Sequence, residues 1–447
     1  PDTFLLSCSG ETDDAVETAP DLFDAARVGA DVWKWDDFVR EGVDRFLKYS
    51  GLHGRKLWCD MDNLVLREPF SNLAQARTRV SLTSLFGVPV TLGDEIAALE
   101  NAQMNEALEY TISGSLQEAL TGADFVVISI LPGTFEEMRS DVHLPERVGV
   151  YQPVGDTVGP GGFMRAMRTI PMFMEIGQAI RDWAPDAFVM NYTNPMSLCI
   201  RTLYHAFPQI KAYGCCHEVF GTQHLLCQML KHEHGIDGVK RQDLYTTVTG
   251  INHFTWLTSA SYKGMDLMPL YKEFAQKYAA GGFSEGQDNN WMNSSFSSNQ
   301  MVKFDLFNKY GVIAAAGDRH LAEFMPPWYT RDPETVRSWK FHLTTVDWRE
   351  GDLERRLQRS DDLISGKEQV ELKGSGEEGH LLIKAVLGLG DLVSNVNIPN
   401  QGQIPNLPIG AIVETNALFG LDRISPVFAG PGPQNILPTI ERHILNQ

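Results

Sequence analysis

The sequence has few cysteines and no long hydrophobic run. Its six cysteines follow no disulfide-framework spacing, which is typical of reduced thiols in a cytosolic protein. Because no apolar run reaches about 18 residues, neither a membrane span nor a signal peptide is predicted. The chain starts at Pro1 rather than at a methionine, which indicates a processed chain or a fragment.

Positive charge is also scarce. The chain has 38 Lys and Arg against 57 Asp and Glu, a formal net charge of −19, which argues against nucleic acid and anionic membranes as partners. An anionic substrate would therefore need a local cationic pocket. The hydrophobic content of 43% over 447 residues is ample for the cores of two or three domains.

The stretch from Ala187 to Gly221 carries the clearest signs of a functional site. A short apolar run ends in the polar loop Asn191–Pro195, a predicted helix follows, and a second apolar run ends at Cys215-Cys216-His217. In an α/β sheet, polar turns of this kind lie together at the carboxyl ends of neighbouring strands. The two turns are therefore predicted to face one cleft.

Cys216 and His253 are the candidate metal ligands. His253 follows the β-rich run Tyr245–Gly250, 37 residues after Cys216. A thiolate and an imidazole on neighbouring strand ends suit a divalent transition ion, and two protein ligands leave positions open for substrate. The residues alone leave two alternatives open, a buried core thiol at Cys216 and a structural histidine at His217.

Several separated motifs carry a family resemblance. The runs are NYTNPM (191–196), GCCHEVFG (214–221), GINHFTW (250–256), AAAGDRHLAEFMPPWY (314–329) and VNIPNQGQIPNLP (396–408). From about Asn105 to Gln447 the chain resembles family 4 of the glycoside hydrolases, the NAD- and manganese-dependent glycosidases, and within it the α-galacturonidase branch. That family is an exception to the two-carboxylate rule of glycosidases.

The resemblance implies a reaction and the residues that perform it. A galacturonide would be oxidised at C3 by NAD, eliminated across C1–C2, hydrated and reduced again, with Mn²⁺ on Cys216 and His253 as the Lewis acid. Asp318 would be the base, His217 the proton donor, and Asp156 would line the sugar site. Turn aspartates that serve their own backbone remain the alternative for Asp156 and Asp318.

The resemblance also implies contacts to the cofactor and the sugar. Those predicted for NAD are Ile130, Asn191 and Asn194. Asn194 would also touch the sugar, whose carboxylate needs a bidentate guanidinium. Arg165 is preferred for this over Arg168, with Arg319 and His320 as further candidates for the carboxylate or the metal; the arginines could instead be ordinary surface charges.

A glycine-rich phosphate turn is expected before the predicted buried strand Asp124–Ile130, and none is found there. The glycine-dense segment Gly159–Gly162 follows a loop rather than a strand and does not match G-x-G-x-x-G.

Residues 1–100 are predicted to come from a different fold. Three segments, Leu5–Gly10, Ala26–Trp33 and Leu57–Asp62, have the pattern of strand ends with polar tips. They resemble the C-terminal part of the (β/α)8 barrel of family 27 and 36 α-galactosidases. The resemblance would make Asp31 the counterpart of the acid/base aspartate of those enzymes. The upstream half of such a barrel is absent, so Asp31 is predicted to be inert.

The predicted fold is α/β in three parts. They are a barrel-like fragment (1–100), a partial Rossmann-like, dinucleotide-binding parallel sheet (101–235) and an α+β catalytic and oligomerisation domain (236–447). A homo-oligomer is expected. The alternatives are a barrel-type retaining α-galactosidase fragment that works through Asp31, and a non-catalytic hybrid that binds only metal or sugar.

Smaller expectations concern the last third of the chain. Trp291–Tyr310 has helical spacing with Met301, Phe304 and Phe307 as core positions. Asn395–Pro408 is predicted to be a Pro/Asn-rich loop near the active site, and Ala411–Leu418 a strand.

Overall fold

The computed structural model describes residues 34–49, 111–284, 298–368 and 377–447, together with five short strands and residues 75, 78 and 79 outside those ranges. The chain divides into two compact units. One comprises Pro1–Ser115 and Asp352–Lys373, and the other comprises Leu116–Gly351 and Gly374–Gln447. Within the described residues, every helix falls short of the length and apolarity needed to cross a bilayer.

The first unit contains short parallel strands near the predicted strand ends. The strands pair in the order β1-β2-β3, and β4 pairs with β5, all in parallel. The elements are β1 (Leu6–Ser7), β2 (Ala25–Arg27), helix α1 (Trp35–Asp37), a π-helical segment (Phe38–Asp44), α2 (Arg45–Tyr49), β3 (Trp58–Asp60), β4 (Asn63–Leu64) and β5 (Thr91–Leu92). These strands do not show a (β/α)8 barrel fragment, and Asp31 lies outside the described residues.

Twelve further helices are described from Leu116 onward. They are α3 (Leu116–Leu120), α4 (Phe135–His143), α5 (Gly159–Trp183), α6 (Met196–Ala206), α7 (Glu218–His234), α8 (Met268–Tyr278), α9 (Met301–Tyr310), α10 (Asp318–Phe324), α11 (Pro333–Ser338), α12 (Val346–Ile364), α13 (Gly379–Val386) and α14 (Leu437–Ile444). Two 3-10 turns, Pro145–Val148 and Arg241–Asp243, complete the helical elements described from Leu116 onward.

Six strands form the main sheet of the second unit, in the order β15-β14-β13-β8-β7-β6. The first three in sequence run parallel, and the last three are antiparallel additions. They are β6 (Phe125–Ile128), β7 (Phe188–Asn191), β8 (Lys211–Gly214), β13 (Leu392–Pro399), β14 (Ile412–Gly420) and β15 (Arg423–Pro426). The predicted Rossmann-like parallel sheet is confirmed for β6, β7 and β8.

Helices α5 and α6 cover one face of this sheet. Phe173 and Ile180 of α5 and Leu203 of α6 are fully buried in a core shared with Val189 of β7. The helices approach closely at Gly177, where a Cβ would lie 2.8 Å from the Cβ of Ala206. The packing of α6 fixes the direction of the loop at its start, Asn191–Pro195, and α6 leads into β8, which ends at the Cys215-Cys216-His217 turn.

A second, antiparallel sheet supplies the other side of the site. Strand β10 pairs with β9, β11 and β12. The strands are β9 (Leu244–Ile251), β10 (Phe254–Tyr262), β11 (Met265–Asp266) and β12 (Ile313–Ala314). Helix α9 packs beside them, and the predicted core positions Met301, Phe304 and Phe307 are all buried.

One local prediction is wrong and another is confirmed. The predicted loop begins at Asn395, but β13 continues to Pro399 and pairs residue by residue with β14. The amides of Asn395 and Asn397 are buried in the sheet, where side-chain partners replace water. The predicted strand at Ala411–Leu418 is confirmed as β14.

Candidate active site

The first element of the site is the turn between β8 and α7. Cys216 is buried with 8% of its surface exposed, and the side-chain amide of Asn395 donates to its carbonyl oxygen at 3.3 Å. Burial raises the pKa of the Cys216 thiol, and the charges of Glu414 and Glu218 raise it further. The thiol therefore stays protonated unless a cation offsets that cost.

The second element is the tight hairpin between β9 and β10. Its two loop residues are Asn252 and His253, and His253 adopts a left-handed conformation with φ of 63°. Gly250 makes the turn possible, because a Cβ there would lie 2.6 Å from the carbonyl oxygen of Phe254. Burial and the neighbouring His320 lower the pKa of His253 to about 3, so its imidazole is neutral and has a lone pair to offer.

Three ligand atoms converge at this hairpin. Atoms of Asp156, His253 and His320 all lie within 4.8 Å of one another. The two imidazole rings stack with centroids 3.7 Å apart at an angle of 32°. Burial opposes ionisation of Asp156, but His253, His320 and Arg165 together hold its pKa well below the usual range. One carboxylate and two neutral imidazoles form a donor set for a divalent cation.

Three hydrogen bonds orient Asp156 and His253. The Thr157 hydroxyl lies 2.7 Å from Oδ1 of Asp156 and 2.9 Å from Nδ1 of His253, so it joins the two residues. The Asn194 amide donates to Oδ2 of Asp156 at 3.2 Å. This arrangement links the predicted sugar-site residues Asp156 and Asn194 to the predicted ligand His253.

Glu218, the first residue of α7, is a site residue that the sequence reasoning missed. Its Oε1 lies 3.6 Å from Nε2 of His320 and 3.9 Å from Nε2 of His217, and its Oε2 accepts the N–H of Gly317 at 2.5 Å. Burial would raise the pKa of Glu218, but the surrounding histidines lower it to about 2. The only signal was its position directly after Cys216-His217.

His217 is the exposed member of the site. Its side chain is 64% exposed, and its Nδ1 lies 2.9 Å from Oε1 of Glu377. This hydrogen bond raises the pKa of His217, and Glu218 adds to the effect. An exposed imidazole whose pKa is raised in this way is suited to proton donation.

Asp318, the predicted base, is fully buried at the start of α10. Its two carboxylate oxygens accept the backbone N–H groups of Val302 and Lys303, the second and third residues of α9. Burial raises the pKa of Asp318 against the opposing charge of Lys303. These contacts are those of a structural cap, and Asp318 is not a member of the three-residue ligand group. Its catalytic role stays a prediction.

The predicted cofactor contacts follow β6 and β7. The amide of Asn191 donates to the carbonyl of Thr193 and its oxygen accepts the Thr193 N–H, so the side chain shapes its own turn. The N–H of Ile130 donates to the Thr193 hydroxyl at 2.9 Å, which ties the two strand ends together. Asn194 has a buried Oδ1 without a hydrogen-bond partner. Of the three, Asn194 has the side chain suited to a ligand.

The arginines divide into one beside the ligand group and two in supporting positions. Arg165 donates through Nε to the carbonyl of Asn194 at 2.9 Å and lies near enough to Asp156 to lower its pKa. Arg168 pairs with the buried Asp141 on α4. Arg319 is 5% exposed and donates to the carbonyl of Pro153 at 2.6 Å.

Comparison with known proteins covers both halves of the site. The model of the family 4 glycosyl hydrolases matches residues 88–232, and the model of the family 4 glycosyl hydrolase C-terminal domain matches residues 248–447. The chain is 61% identical over 339 residues to an α-galacturonidase of Thermoanaerobacterium saccharolyticum, covering 76% of this chain and 73% of that one. It is 49% identical over 382 residues to an α-galacturonidase of Bacillus subtilis, covering 85% and 84%.

Two solved structures are similar to this chain in fold. The crystal structure of lplD from Bacillus subtilis is similar with a TM-score of 0.72 and 53% identity, covering 76% of this chain and 77% of that one. A 6-phospho-α-glucosidase from gut microorganisms, in complex with NAD and Mn²⁺, shares the fold with a TM-score of 0.61 and 20% identity, covering 82% and 83%.

Proposed function

The chain belongs to the family 4 glycosyl hydrolases, and from that premise we propose that it hydrolyses α-linked galacturonides. Four α-galacturonidases are 49–61% identical to it, whereas an α-galactosidase of Bacillus subtilis is 30% identical. The observation that carries the proposal is the convergence of Asp156, His253 and His320 beside the Cys216-His217-Glu218 turn.

The residues present fit a manganese ion. Asp156, His253 and His320 would hold it, with Cys216 as the further donor that the family resemblance implies. Carboxylate, imidazole and thiolate are all ligands of divalent transition ions. When bound, the ion would supply Lewis acidity at the oxygens on C2 and C3 of the sugar.

NAD fits the loops at the carboxyl ends of β6 and β7. The unpartnered Oδ1 of Asn194 is available there to a donor group of the cofactor or the sugar. The expected glycine-rich turn before Asp124 is not among the described residues. The one G-x-G-x-x-G spacing in the sequence, Gly374 to Gly379, lies partly outside them. When bound, NAD would take the hydride from C3 and return it at the end of the cycle.

The chain's own residues would handle the protons and the substrate charge. Asp318, whose pKa is raised by burial, is the proposed acceptor of the C2 proton, provided that it leaves its contacts with α9. His217, whose pKa is raised by Glu377, would donate a proton to the leaving sugar. Arg165 would hold the uronate carboxylate, and the backbone of Asn194 orients it.

Turnover assays with two substrates, each with and without the cofactors, test the proposal. An aryl α-galacturonide and the matching neutral α-galactoside are each incubated with the protein, with and without NAD and Mn²⁺. We expect turnover of the galacturonide only when both cofactors are present. Turnover of the galactoside without cofactors would instead support the barrel-type alternative, and the absence of turnover and of NAD binding would support a non-catalytic hybrid.

The assembly and the compartment are part of the same proposal. We propose that the chain works as a homo-oligomer in a reducing, cytoplasmic environment. Cys199, Cys215, Cys216 and Cys227 are all free thiols, which is in keeping with such an environment. Light scattering of the purified protein measures the assembly directly.

A further inference from the structure

The loop that carries Asp156 has no regular structure of its own. It runs from Gly149 to Val158, between a 3-10 turn and the start of α5. Because a loop cannot pair all of its backbone groups internally, other parts of the chain must hold it. Gln152 anchors one side, since its amide donates to the carbonyl of Asp141 and its oxygen accepts the N–H of Gly161.

Glu323 holds the other side of the loop, directly before Asp156. Its Oε1 accepts the backbone N–H of Val154 at 2.6 Å and that of Gly155 at 2.8 Å. Gly155 has a left-handed φ of 71°, which helps to turn both N–H groups towards the same acceptor. Glu323 therefore holds the two residues that directly precede Asp156 in the sequence.

Helix α10 carries both Glu323 and the candidate ligand His320. His320 and Glu323 are three residues apart, a spacing that places two side chains on the same side of a helix. His320 reaches the ligand group, and Glu323 reaches the loop that brings Asp156 to it. The distance between Asp156 and His320 therefore depends on one short helix, α10.

The second carboxyl oxygen of Glu323 indicates that the residue has more than a packing role. Oε2 is buried without a hydrogen-bond partner, and such a group costs stability. Burial raises the pKa of Glu323 to about 8, so the carboxyl is largely neutral near pH 7. A neutral amide oxygen in the same place could then accept the same two N–H groups.

We propose that Glu323 is a positioning residue that fixes Asp156 relative to His320 and so sets the affinity of the ligand group for a divalent cation. The inference rests on the metal site of the proposed function. It adds a residue that lies outside the group of three ligands.

Titration of the purified, metal-free protein with MnCl2 tests the inference by calorimetry. We expect Glu323→Ala to weaken Mn²⁺ binding by about tenfold or more, as loss of a group that orients a metal ligand commonly does. Glu323→Gln should bind within about threefold of wild type, because its amide oxygen restores the acceptor. Glu334→Ala, a change at an exposed glutamate on α11, is the matched control and should bind as wild type does.

Several outcomes would overturn the inference. If folded Glu323→Ala binds Mn²⁺ as tightly as wild type, Glu323 has only a structural role. If Glu323→Ala does not fold, Glu323→Asp replaces it, because the shortened side chain withdraws the acceptor; wild-type affinity in that variant would be equally decisive. If wild-type protein itself does not bind Mn²⁺, the proposed metal site fails and the inference fails with it.

Discussion

Replacement of Asp318 by asparagine is expected to destabilise the protein by about 4 kcal/mol. The carboxylate accepts two N–H groups at the start of α9 and lies near Lys303, whose side chain is buried and donates to the Thr222 hydroxyl at 3.0 Å. Asparagine keeps one acceptor oxygen, turns an amide donor towards the other N–H, and removes the charge that compensates Lys303.

The magnitude is the sum of two effects. Loss of a helix cap costs about 1 kcal/mol. A buried ammonium that loses its compensating charge costs up to about 3–5 kcal/mol. The cost for Lys303 should lie at the low end of that range, because burial already lowers its pKa and so favours loss of its proton. The cost of the substitution is therefore dominated by Lys303 rather than by the cap.

Urea unfolding, followed by tryptophan fluorescence, measures the difference. The control is Asp332→Asn, which alters an exposed cap whose carboxylate accepts the N–H of Thr335 at 2.7 Å, and it should shift the midpoint less. A change within about 0.5 kcal/mol of wild type for Asp318→Asn would refute the capping role.

The same variant separates structure from catalysis. If Asp318 is the base, loss of deuterium from C2 of a labelled galacturonide should stop in the variant at temperatures where it remains folded. Retention of that exchange, together with reduced stability, would show that Asp318 is only a cap.

Three further predictions concern the other site residues. Cys216→Ser should abolish Mn²⁺ dependence and activity together, and unchanged turnover would contradict its assignment as a ligand. Because the hydrogen bond to Glu377 raises the pKa of His217, the protonated donor form should persist to higher pH. Activity should therefore fall as the pH rises through that pKa. In a pH–rate profile, His217→Asn should lose this fall in activity at alkaline pH. Arg165→Lys should raise KM for the galacturonide by about tenfold, or about 1.4 kcal/mol, while an equal rise for a neutral galactoside would rule out carboxylate recognition.

The parallel part of the main sheet was predictable because its sequence signal is local. Strands β6 and β7 are short apolar runs, and β7 leads into the polar loop Asn191–Pro195. Strand β13 was mistaken for a loop because Asn395 and Asn397 look like turn residues. Only the folded chain supplies their partners, Glu414 for Asn395 and the sulfur of Met196 for Asn397.

The site was predictable only where a motif marked it. His253 and Asp156 came from recognisable segments, and the structure brings them together although they are 97 residues apart in sequence. Glu218 and Glu323 lie inside two of the quoted motifs, but within those motifs they look like ordinary helix-surface glutamates. Their roles depend on which backbone N–H groups the fold presents to them, and no periodicity in the sequence records that.

The two stacked imidazoles between Asp156 and Glu218 also determine the order in which the site can be filled. At pH 7 both rings are neutral and both carboxylates are ionised, so this group of four side chains has an anionic character. A uronate that arrived first would meet like charge, whereas a dication cancels it. If the substrate is a uronate, we therefore expect the cation to enter before the acidic sugar.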